Sequence, residues 1–90
     1  MRLFFVVIGS SHALACAQAQ SEICARYVAC QQEYDAAART GPTDLAQYAP
    51  DGICWLSAEN IDTCDQQCTD GIAAVQEAAA NANLDVPSCG

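Results

Sequence analysis

The chain has no lysine, and its single histidine, His12, lies ahead of residue 16. Beyond that point its own residues cannot assemble a Ser-His-Asp or Cys-His arrangement, nor a lysine nucleophile. No C-x-x-C pair occurs, which excludes a thioredoxin-type motif. A Gly-rich phosphate loop, a D-x-D-x-D-G calcium loop and an N-x-S/T acceptor are also missing. Positive charge is scarce: three arginines stand against eleven acidic residues, for a formal net charge of −8. All the acids follow residue 21, where only Arg26 and Arg39 oppose them. Such a surface repels nucleic acid and anionic lipid head groups. It also lacks the basic amphipathic face of a membrane-lytic peptide.

Long apolar runs are missing too. Leu3–Ile8 is far too short to span a bilayer. Its position after Met1-Arg2, and before the small residues Ala13-Leu14-Ala15, is the layout of a signal peptide over residues 1–15. Two cleavage sites compete. Ala13-Leu14-Ala15-Cys16 resembles the lipobox of bacterial lipoproteins, with Ala13 where leucine is preferred, and makes Cys16 the lipidation site. Ala17-Gln18-Ala19 is an ordinary A-x-A site, which would extend the signal peptide to 1–19 and discard Cys16.

What is plentiful is cysteine, seven in 90 residues. Either cleavage leaves Cys24, Cys30, Cys54, Cys64, Cys68 and Cys89, an even number for pairing. An exported chain this short needs staples, because so small a core rarely supplies more than ~3–5 kcal/mol. Disulfides contribute ~2–4 kcal/mol each and place the protein in an oxidising compartment.

The periodicity predicts an all-α domain. Residues 16–21 form a short tether, and residues 22–90 a single disulfide-rich helical domain. Ser21 caps a helix running to about Arg39, with Ile23, Tyr27, Cys30 and Tyr34 on one face and Cys24 on its flank. Thr43 caps a short turn, Asp44 to Ala49, before Pro50-Asp51-Gly52. Ile53-Cys54-Trp55-Leu56 is a dense apolar knot, with Trp55 as core. Ser57 opens a second helix to about Ala82, with Ile61, Cys64, Cys68, Ile72, Val75 and Ala79 on its apolar stripe. Gly71 weakens that helix by ~1 kcal/mol and is a place for a bend. The expected architecture is a small disulfide-stapled antiparallel helical hairpin with a short intervening helical turn.

Six cysteines allow fifteen connectivities. In an antiparallel hairpin Cys30 lies opposite the Cys64–Cys68 turn. A Cys54–Cys89 bridge is disfavoured: the second helix carries the chain roughly 37 Å away, and the tail returns at most ~27 Å. The preferred set is Cys24–Cys89, Cys30–Cys68 and Cys54–Cys64. Its rival is a nested ladder with Cys24–Cys68 and Cys30–Cys64.

The runs Cys24-Ala-Arg-Tyr27-Val-Ala-Cys30, Tyr48-Ala-Pro-Asp-Gly52-Ile-Cys54-Trp55, Cys64-Asp-Gln-Gln-Cys68 and Cys89-Gly90 resemble small cysteine-rich exported proteins, often lipoproteins, of myxobacterial type. The resemblance implies location and fold. It carries over no activity and no catalytic residue.

The carboxylate pairs Glu33/Asp35 and Asp62/Asp65 read as solvated helical faces rather than acid–base or calcium sites. Cys64-x3-Cys68 lacks the second pair that a zinc knuckle needs, and export favours disulfides. The sequence therefore points to a non-enzymatic module without cofactor or metal, either lipid-anchored in a bacterial envelope through Cys16 or extracellular. It would act on a protein partner or as surface structure. The alternatives are a freely secreted effector or inhibitor and, further off, a thiol-redox or metal-binding protein using Cys64 and Cys68.

Overall fold

The computed structural model describes residues 18–90. Residues 1–17, on which the expected signal peptide (1–15, or most of 1–19) and the expected lipidation site Cys16 fall, lie outside the described residues. Two α-helices dominate, α1 (Glu22–Ala38) and α2 (Ala58–Asn81), with short 3₁₀ turns at Ala46–Tyr48, Ile53–Leu56 and Pro87–Cys89. No strand occurs among the described residues, so the all-α, disulfide-stapled class holds.

The caps follow the sequence. The Ser21 hydroxyl accepts the Cys24 N–H at 3.3 Å and opens α1, and Ser57 does the same for the Asn60 N–H at 3.1 Å in α2. Each satisfies a helix N–H with no intrahelical acceptor. Helix α1 stops where Arg39 turns left-handed, at φ 59°, and sends its N–H to the Asp35 carbonyl. The turn expected at Asp44–Ala49 narrows to Ala46–Tyr48. Its entry is held by the Asp44 carboxylate, which accepts the Ala46 N–H at 3.1 Å, while the Thr43 N–H goes to Asp35 instead.

The antiparallel hairpin is corrected. Ser21 meets Asp65, Cys24 meets Cys68, and Tyr27 meets Gly71. Both residue numbers climb together, so α1 and α2 run in the same direction. Residues 39–57 are the return limb: Thr43 lies beside Asp35, Tyr48 against Tyr27, and Trp55 beside Gln18. The reason is reach. Helix α1 advances about 25 Å at 1.5 Å per residue, whereas residues 39–57 can extend to roughly 60 Å. A tight corner would have forced antiparallel packing; this connector is long enough to come all the way back.

Both expected apolar stripes face inward. Cys30, Ile72, Val75 and Ala79 form one buried cluster with Val86 and Cys89. Cys24, Cys54, Trp55, Cys64 and Cys68 form a second. Ile23 and Tyr27 pack against both and join them. Helix α2 is continuous through Gly71, whose role is a close approach. A Cβ there would come within 2.5 Å of the Tyr27 ring, so glycine is what lets the two helices meet at this level.

Candidate functional site

All six cysteines of the domain are bonded, as Cys24–Cys68, Cys30–Cys89 and Cys54–Cys64. Of the preferred set only Cys54–Cys64 stands. Cys24–Cys89 and Cys30–Cys68 exchange partners, and the rival ladder is right about Cys24–Cys68 and wrong about Cys30–Cys64. Helix direction causes the exchange. With α1 and α2 parallel, Cys24 is level with Cys68. The tail folds back only as far as Cys30, where Arg26 Nη2 and Gln76 Nε2 both donate to the Cys89 carbonyl, at 3.0 and 2.6 Å. Cys24, Cys30, Cys54 and Cys68 are wholly shielded from solvent. Their sulfurs therefore serve as internal packing between helices.

The carboxylates read as a solvated face do something else. Asp65 accepts the Ser21 hydroxyl at 2.6 Å across the helix pair. Glu33 accepts the Ser88 N–H at 2.8 Å and ties down the tail. Asp35 is the buried carboxylate among the described residues. Its Oδ1 accepts from Gln31 Nε2 at 2.9 Å and from Thr40 Oγ1 at 3.3 Å, and its Oδ2 accepts the Thr43 N–H at 2.9 Å. Burial pushes its carboxyl upward, but the bonds from Thr43, Gln31 and Thr40 outweigh that and hold it below the ordinary carboxylate value. Asp62, by contrast, is exposed as expected. Nearby, burial first, then Tyr48 and Asp35, raise the Tyr27 phenol above its ordinary value. Tyr27 stands edge-on to Tyr48, with ring centroids 5.4 Å apart. Both carboxylate oxygens of Asp35 are engaged in holding the connector to α1.

An open groove of about 390 Å³ runs beside this lock, lined by Gln32, Asp35, Ala36, Arg39, Gly41, Pro42 and Thr43. The guanidinium of the exposed Arg39 is its one cationic group. No group of three or more His, Cys, Asp or Glu among the described residues is placed to hold a metal ion.

The Ile53–Leu56 turn divides its residues between inside and outside. Cys54 and Trp55 are buried, as expected, and the indole N–H donates to the Ala49 carbonyl at 2.7 Å. Ile53 and Leu56 are not core: they are 61% and 63% exposed, and are the exposed large hydrophobics of the described residues. In a 3₁₀ turn, residues i and i+3 eclipse each other, so Ile53 and Leu56 emerge together while the two residues between them point inward. The knot's composition could not reveal this, because four consecutive apolar residues carry no period. Gly52 fixes the turn's entry, since a Cβ there would overlap the carbonyl oxygens of Gln47 and Ala46.

The N-terminal segment meets the domain at the same turn. The Gln18 N–H donates to the Trp55 carbonyl at 3.0 Å, and Gln20 Nε2 donates to the Tyr48 carbonyl at 2.8 Å. The tether is therefore docked rather than loose from Gln18 onward. Comparison with protein-family models, curated proteins and solved structures returns no match.

Proposed function

We propose that this protein is an exported, non-enzymatic module of the bacterial envelope, anchored by acylation of Cys16 and acting through protein contact or as surface structure. Three disulfides in so small a domain fit an oxidising compartment. No helix among the described residues is long and apolar enough to cross a membrane, so attachment requires another device. The observation that carries the lipid-anchored reading is the Gln18–Trp55 hydrogen bond. Cleavage after Ala19 removes Gln18 and this bond with it, whereas cleavage before Cys16 keeps both. The six cysteines of the domain also satisfy one another, so its stability asks nothing of Cys16. The resemblance to myxobacterial cysteine-rich exported proteins agrees with this location.

Intact mass of the native purified protein tests the reading. The expected species begins at Cys16, carries added acyl mass and lacks two hydrogens for each of the three disulfides. A species beginning at Gln20 without lipid establishes the freely secreted alternative. Free thiols at Cys64 and Cys68 would instead favour redox or metal chemistry.

A further inference from the structure

We propose that Ile53 and Leu56 form an apolar foot that seats the domain against the neutral phospholipid surface in which its own acyl chains are embedded. The inference rests on acylation at Cys16 and adds to it an orientation. Three observations converge on one turn. Gln18 is hydrogen-bonded to the carbonyl of Trp55, which lies between Ile53 and Leu56. Cys16 is two residues upstream in the sequence, and two residues of chain extend at most about 7 Å. An acylated Cys16 must stand at the bilayer surface, and this short span brings the 53–56 turn there with it. The two side chains that reach the surface are the exposed large hydrophobics of the described residues.

Charge selects the lipid. Asp51 and Glu59 flank the turn in sequence and both are exposed, and no lysine exists to draw in an anionic head group. A zwitterionic surface such as phosphatidylethanolamine is the compatible one, because a phosphatidylglycerol-rich surface repels this acidic chain. Two side chains alone are too few to hold a domain on a membrane. With the acyl chains supplying the affinity, they need only fix which side faces down.

Trp55 is the chain's only tryptophan, and its place in the chain between Ile53 and Leu56 makes its emission a proximity probe for the foot. The acylated full-length product is reconstituted into phosphatidylethanolamine/phosphatidylcholine vesicles containing lipids brominated high on their acyl chains, which quench indole emission at short range. Because the indole is buried behind the foot, wild type is expected to lose a measurable part, not all, of its Trp55 emission. The Ile53→Asn/Leu56→Asn variant should sediment equally with the vesicles, retain all three disulfides by mass and keep its emission. Replacing part of the lipid with phosphatidylglycerol should weaken quenching of the wild type. Equal quenching in both proteins, or none in a wild type that sediments with the vesicles, overturns the foot and leaves the lipid anchor standing. A wild type that carries no acyl mass and does not sediment overturns both.

Discussion

Asp35 shows how a residue's environment decides its role. In the sequence it is one of eleven acids on a strongly negative chain, and nothing marks it as internal. In the fold it joins the last turn of α1 to Thr40 and Thr43, acting where the helix end leaves its backbone groups unmatched. Its carboxyl is held below the ordinary value of 3.8, because hydrogen bonds to the charged form outweigh burial. A group with a depressed folded pKa stabilises the fold above its unfolded value, and that contribution fades as pH falls through the folded one. Asp35→Asn should therefore lower stability by about 1 kcal/mol at neutral pH, as charge-assisted bonds become neutral ones. The gap to wild type should close below about pH 3.8. Urea unfolding at neutral pH and at about pH 3 measures both; a gap that stays constant with pH would show that the carboxylate's charge plays no part.

At the scale of elements, the contact of α1 with α2 turns on Gly71. Glycine inside a helix ordinarily costs about 1 kcal/mol relative to alanine, so Gly71→Ala would stabilise an isolated α2. Here the added Cβ falls within 2.5–2.9 Å of three atoms of the Tyr27 ring. Overpacking of this kind costs about 1–3 kcal/mol, so the expected net effect is destabilising. Removing the ring should reverse the sign: in a Tyr27→Ala background, Gly71→Ala should be neutral or favourable. A double-mutant cycle on urea midpoints checks this, and a higher midpoint for Gly71→Ala alone would show that the helices are not in close contact there. The element boundaries were legible from Ser21 and Ser57, whose side chains bond locally. The direction of α2 relative to α1 was not. It depends on where residues 39–57 travel, and their local signals of Thr43, Pro50 and Gly52 describe turns rather than a route.

At the scale of the whole molecule, the three disulfides close loops of very different length, and their contributions should differ accordingly. Cys30–Cys89 spans 59 residues and fastens the tail, which carries Val86 into the core. Cys54–Cys64 spans 10. Loop-closure entropy makes the longer staple worth about 1.5 kcal/mol more. Cys30→Ala/Cys89→Ala should cost about 2–4 kcal/mol, and Cys54→Ala/Cys64→Ala correspondingly less. Equal losses in thermal unfolding would mean that local packing, rather than chain constraint, sets their worth.

By itself the sequence determined the all-α class, both helix caps, the two apolar stripes and the burial of Trp55. These features depend on spacing and on neighbours close in the chain. Only the tertiary structure decided that the helices run parallel, that Cys24 takes Cys68 and Cys30 takes Cys89, and that Ile53 and Leu56 face outward. Each of those depends on which distant segments arrive side by side. A connector with length to spare permits more than one answer, and the choice is made by the total burial that each arrangement achieves.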